Sequence, residues 1–207
     1  MVILIDVGHS KWPLSQGKRS PVREDGTRFY EYASNRRIGN LVSRKLEELG
    51  IEHYFVLNPD KEEFTSLGSR VSVANAYARQ FGRKNCLLIS LHSNACGDGS
   101  EWKDSARGWS IYTSKGKTDS DKYATVFFEE AAKVLPKYGM TLRKDTRDGD
   151  PDYEENFTVL YNTSCPAVLI EALFYTSRID LAFLDSDEGV EVLSDIVVNA
   201  IRRIVGV

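Results

Sequence analysis

Histidine is scarce in this chain, at three residues in 207, and so is cysteine, also at three. Cys86, Cys96 and Cys165 are odd in number and fall in no C-x-x-C spacing. That excludes a thiolate zinc ribbon, a thioredoxin-type redox pair and a complete disulfide framework. They read as buried free thiols in a chain that folds in a reducing compartment. There is no Gly-rich phosphate loop, no H-E-x-x-H helix and no serine nucleophile elbow. Apolar runs are far too short to span a membrane. The net charge of −3 offers no global attraction to nucleic acid or anionic lipid, so a neutral or mixed-charge polymer is the more natural partner. The start, Met1-Val2-Ile3-Leu4-Ile5-Asp6, has no basic n-region and reads as a first strand. The expectation is a chain made in the cytosol that reaches its target by a route needing no leader, or one whose leader has been removed.

With 42% hydrophobic residues the chain can bury one sizeable core, and residues 1–207 read as a single domain. Strand-like runs alternate with helical patterns. This predicts an α/β fold with a twisted, mainly parallel central sheet of about six strands and helices on both faces. After the first strand comes a polar loop from Ser10 to about Thr27. A helix follows from about Glu31 to Gly50, with Ile38, Leu41, Val42, Leu46 and Leu49 at helical spacing. Ile51–Leu57 reads as a strand and Leu67–Phe81 as a short-side-chain helix. Cys86–Leu91 is apolar almost throughout and should be central. Gly108–Thr113 alternates like a peripheral strand. A helix from about Asp119 to Leu135 should stop at Pro136, and the Asp-rich segment 143–156 reads as a solvated loop. Ala167–Ile170 is a buried strand, and a last helix runs from about Asp187 to Val205.

Two of the three histidines, His9 and His92, close apolar strands and are flanked by small residues. In open α/β sheets functional groups gather at the carboxyl ends of strands, so two histidines placed this way point to a metal. Catalytic zinc takes three imidazole or carboxylate ligands and leaves a fourth position for water. Glu31 opens the first helix and can fold back on His9. Glu24 and Asp25 are rival ligands, but a helix end holds a carboxylate more rigidly than a loop. Glu171 emerges directly from Val168-Leu169-Ile170, where desolvation would raise its pKa toward a range useful for proton transfer. It is the candidate general base. His53 reads as structural or surface. Trp12, Trp102, Trp109 and Tyr153 lie in or beside loops and could form a platform for sugar or peptide.

Taken together, these residues resemble the zinc-dependent N-acetylmuramoyl-L-alanine amidases of amidase family 3, over nearly the whole chain. Asp6-Val7-Gly8-His9 is similar to the family's opening D-x-G-H. Gly17-Lys18-Arg19-Ser20-Pro21 with Glu31 and Asn35 resembles its second ligand segment. Arg70 and Asn75 fall at its R-x-x-x-x-N helix, Ser90-Leu91-His92-Ser93-Asn94-Ala95 at its S-x-H-x-N-A segment, and Pro166 through Glu171, continued by Phe174 and Asp180, at its closing strand. Four positions depart from the pattern: Ser10 and Leu173 stand where the family has glycine, and Thr176 and Ser177 stand where its closing motif has serine and asparagine. The resemblance implies one Zn2+ per chain on His9, Glu31 and His92, with Glu171 catalytic. The implied reaction is hydrolysis of the amide between N-acetylmuramic acid and L-alanine of peptidoglycan, in an open groove. Asn94, Arg70 and Trp109 are its candidate substrate contacts. The lack of a leader fits a phage lysin, and a trimmed autolysin would look the same. A zinc carboxypeptidase with Arg70, Arg143 or Arg147 as carboxylate clamp is the same-class alternative. A non-catalytic wall-binding module is the alternative from another class.

Overall fold

The computed structural model describes residues 1–11, 18–61 and 63–207. Trp12 and Gly17 lie outside these described residues. Six strands form one sheet in the order β2-β1-β3-β6-β4-β5. They are β1 (Val2–Val7), β2 (His53–Phe55), β3 (Cys86–Asn94), β4 (Ser110–Thr113), β5 (Tyr153–Glu154) and β6 (Ala167–Phe174). All neighbours run parallel except β4 and β6, which are antiparallel. The helices are α1 (Glu31–Glu48), α2 (Leu67–Phe81), α3 (Asp121–Val134), α4 (Thr158–Tyr161), α5 (Arg178–Leu184) and α6 (Asp187–Val205).

Strand alternation divides the core. Ile3, Ile5, Val7, Leu87, Ile89, Leu91, Val168 and Ile170 point to one face, where α1, α3 and α6 cover them. Val2, Leu4, Leu88, Ala167 and Leu169 point to the other, against Ala74 and Ala78 of α2 and Val159 and Leu160 of α4. Short alanine side chains let α2 lie close to the sheet. On the opposite face Gly39 does the same for α1, since a Cβ there would meet Val7 Cγ1 at 2.4 Å. Three buried parallel strands, β1, β3 and β6, thus lie side by side at the centre and end on the same edge. That edge carries His9, His92 and Glu171.

Several sequence expectations shift. The α-helix α3 does end before Pro136, at Val134, but the chain continues into a short 3-10 segment, Leu135–Tyr138, whose first turn Pro136 occupies and where its missing N–H is no loss. Segment 143–156 contains the two-residue strand β5, and its Asp152 is only 1% exposed, with Oδ2 accepting from Thr113 Oγ1 at 2.7 Å. The solvated-loop reading fails there. Burial, reinforced by Asp150, pushes Asp152 up to about 8. All three cysteines are free, yet Cys96 is exposed while Cys86 and Cys165 are buried.

Candidate metal centre

His9 follows β1 in a left-handed conformation, φ 62°. A non-glycine residue adopts this only when its surroundings hold it there. The holders are two buried arginines. Arg70 Nη2 and Arg36 Nη1 each donate to the His9 carbonyl at 3.0 Å. Arg70 also donates to Asp6 Oδ1 at 2.7 Å and to the Val7 carbonyl at 2.9 Å, and Asp6 Oδ2 accepts from Ser90 Oγ at 2.6 Å. A buried ion pair inside an apolar sheet is therefore the brace of the first histidine's turn.

Glu31 opens α1 and is 2% exposed. Its backbone N–H donates to the Lys18 carbonyl at 3.0 Å, which ties the incoming loop to the helix start. Its Oε1 accepts from the Ser93 N–H at 3.0 Å and is approached by Asn35 Nδ2 at 3.5 Å. Burial alone would raise this carboxyl. Hydrogen bonds and charge from His9 and His92 outweigh burial and hold it far below the ordinary carboxylate range. His92 feels the converse: burial lowers its pKa, but Glu31 more than compensates and raises it. His92 sits at the end of β3 with its ring laid over Gly8, where a Cβ would lie 2.3 Å from Cε1. Only glycine fits at position 8.

His9 Nε2, Glu31 Oε1 and His92 Nδ1 converge. The edges of their triangle are 3.1, 3.1 and 3.3 Å. Donors bonded at ~2.0–2.1 Å in a tetrahedron lie about 3.3–3.4 Å apart, so these atoms are spaced as three corners of a zinc site. Two imidazoles and one carboxylate are also the donor types zinc takes. Among the described residues this is the only cluster of three or more potential ligands. The rivals are elsewhere: Asp25 is exposed and accepts from Thr27, and Glu24 and Asp25 line a separate cavity against Trp102. That cavity, about 570 Å³, contains none of the converging groups. A smaller one of about 370 Å³ opens directly on His9 and His92, walled by Phe64, Thr65 and Leu67.

Glu171 stands opposite His92 in the β3–β6 register and opposite Ser110 of β4. Its Oε2 is buried with no hydrogen-bond partner. Burial pushes the carboxyl up to about 8. The negative charge of Glu31 adds to this, while His92, Lys18 and Arg143 pull the other way. Directly beyond it the register slips, and Leu173 takes φ 78° with its side chain fully buried. The position where the resembled family has glycine is thus one whose backbone favours glycine. Asp180 supports this bulge by accepting from the Phe174 and Gly108 N–H groups.

The three expected substrate contacts are placed differently. Trp109 is 1% exposed and packs in the core against Phe128, so it forms no groove rim. Its strand neighbour Ile111 shares the same face. Arg70 is 3% exposed, and its donors are committed to Asp6 and the His9 turn. Asn94 accepts from the Ala95 N–H at 2.8 Å, a turn cap at the strand end. Asn75 clamps the approach to β6 through Asn162 and Ser164. His53, bonded to Ser43 and the Ile51 carbonyl, is apart from the cluster. Trp102 lines the larger cavity with Arg178 over its ring. The cations Lys18 and Arg143, whose charges reach Glu171, were not assigned to its surroundings from sequence; no periodic pattern places a loop residue there.

A family model described as N-acetylmuramoyl-L-alanine amidase matches residues 3–203. No curated protein matches the chain by sequence. Among solved structures it is similar to the catalytic domain of CwlV, an N-acetylmuramoyl-L-alanine amidase from Bacillus (Paenibacillus) polymyxa var. colistinus. That match has 22% identity and a TM-score of 0.77, covering 100% of this chain and 98% of that one. An N-acetylmuramoyl-L-alanine amidase from Clostridium difficile 630 matches at 21% identity and TM-score 0.76, covering 99% and 96%. The catalytic domain of the CD27L endolysin, which targets Clostridia difficile, matches at 21% and 0.58, covering 96% and 97%. At these identities the likeness is one of fold.

Proposed function

The chain belongs to the N-acetylmuramoyl-L-alanine amidase family and is a hydrolase of the peptidoglycan amide bond, and on that premise we propose that His9, Glu31 and His92 hold one zinc ion while Glu171 carries the proton. The observations that support this are the triangle of ligand atoms with edges of 3.1–3.3 Å and, at the strand position paired with His92, the buried Glu171 Oε2 that has no partner. Residues 1–207 are read as one catalytic domain. No helix among the described residues is long and apolar enough to cross a membrane.

Zinc bound here would polarise the scissile carbonyl and acidify a water. Glu171 accepts a proton from the attacking water as the new C–O bond forms. As the C–N bond breaks, the same carboxyl returns the proton to the alanine nitrogen, which leaves as a free amine. A group raised to about 8 by burial has proton affinity near neutrality and can run both transfers. A bound dication would draw that value down. His9 and His92 are held by the Arg70 brace and by Gly8, so little reorganisation is needed when substrate arrives.

Two of the three arginines open to a carboxypeptidase reading are committed elsewhere: Arg70 to Asp6 and Arg147 to Asp145. The test is chemical. Purified muropeptides should yield free alanine amines and intact muramic acid. E171Q should lose roughly 10²–10⁴-fold in turnover while binding zinc near one per chain. H9A and H92A should lose both metal and activity. Wild-type activity in E171Q would remove Glu171 from its role, and unchanged zinc content in either histidine variant would remove that ligand.

A further inference from the structure

Arginines around the site are mostly paired: Arg70 with Asp6, Arg107 with Asp180, Arg147 with Asp145, Arg178 with Asp104. Arg143 differs. Among the described residues its guanidinium donates no hydrogen bond to a carboxylate or carbonyl, although its charge reaches Glu171. Instead its Cζ lies 5.1 Å from the centre of the Phe174 ring and 5.6 Å from that of Tyr153. Its backbone is fixed by an N–H donated to the Trp109 carbonyl at 2.8 Å, one residue before the Ser110 that faces Glu171 across the sheet. Phe174 is three residues beyond Glu171 on the same strand.

A guanidinium carried on aromatic rings keeps its edge N–H groups free, in a planar fork suited to a carboxylate. Arg143 is partly exposed, so its fork stands open to water and is available to an acceptor that arrives with the substrate. On the glycan side of the scissile amide the substrate offers neutral N-acetylated sugar. On the leaving side it offers a peptide with carboxylates, on its second residue when that is not amidated and at its free end.

Building on the amidase reading above, we propose that Arg143, seated on Phe174 and Tyr153, forms an anion subsite beside Glu171 that binds a stem-peptide carboxylate on the leaving side of the bond. The subsite makes the enzyme sensitive to amidation of the stem, a substrate property distinct from the bond it cuts.

The experiment uses the zinc-loaded full chain and three synthetic muramoyl peptides: one acidic, one amidated at the second residue, one amidated at the free end. Wild type should favour the acidic peptide over one of the amidated pair in kcat/KM by about tenfold or more, as expected for a charge-assisted pair. R143M should bring that ratio within about twofold of one, and R143K should fall between. Which amidated peptide suffers identifies the carboxylate. Because the ratio is taken within one preparation, an unfolded fraction cancels. A wild type indifferent to amidation overturns the proposal. So does a ratio kept in R143M, or an equal loss on all three peptides, which would mean Arg143 acts only through the charge it places on Glu171. Failure of the amidase reading looks different: wild type would release no alanine amine from any of the three.

Discussion

Replacing Leu173 by glycine and by alanine should reverse the usual order of those two residues. In an ordinary buried strand position, glycine is about 0.5–1 kcal/mol worse than alanine, because its unfolded chain has more freedom to lose. At position 173 the backbone has φ 78°, and the side chain is fully buried. Both variants give up the leucine's packing, a loss of about 3–5 kcal/mol. Alanine retains a Cβ and with it the left-handed strain of about 1–2 kcal/mol; glycine has none. Subtracting the glycine penalty from the relieved strain leaves L173G more stable than L173A by about 0.5–1 kcal/mol. Urea unfolding followed by the fluorescence of buried Trp109 reads this directly. With a slope near ~2.5 kcal/mol/M the midpoints should differ by about 0.2–0.4 M, in glycine's favour, at equal slopes. If L173A unfolds at the higher midpoint, the positive-φ bulge beyond Glu171 is not a site of backbone strain. The wild type keeps leucine because its burial outweighs the strain.

Gly8→Ala places a methyl 2.3 Å from the His92 ring and should weaken zinc affinity by roughly 10–100-fold through ring displacement, measured by competition with a chelator; unchanged affinity would show that the ring does not need that space. Asp152 has a folded-state pKa raised from 3.8 to about 8, so the folded state holds a proton that the unfolded chain has lost. Stability from this group is therefore fully present below about pH 3.8 and is lost as pH rises toward about 8. Asp150→Asn, by removing a carboxylate that raises Asp152, should flatten the fall in urea midpoint across that window. An unaltered pH profile would count against the pair.

Most of the architecture was legible because its signals are periodic. The helix at Leu67–Phe81 and the central strand from Cys86 follow from apolar spacing, and the histidines were visible because each ends such a run. What spacing could not supply was side-chain commitment. Arg70 looked free for substrate, yet it shares a helix face with Ala74 and Ala78, and Asp6 is the lone charge in an apolar strand. Those two observations together describe a buried ion pair. Trp109 looked like a loop aromatic, though its alternation with Ile111 already put it on the core side. The left-handed turn at His9 left no mark in the sequence, since it is imposed by arginines distant along the chain. The two-residue strand β5 is too short to show any period at all.

The proposed ligands come from positions 9, 31 and 92, and the proton carrier from position 171. Capture of the metal and cleavage of the bond are therefore written in separate stretches of the chain, joined through the pairing of β3 with β6. The separation makes the two capacities independently losable. One substitution at position 171 would leave a molecule that still loads zinc and can still settle on the wall polymer but no longer cuts it. Such a variant would occupy sites that active copies need and act as a competitor to its own parent. For a lineage carrying this fold, an anchor lies a single codon away from a blade.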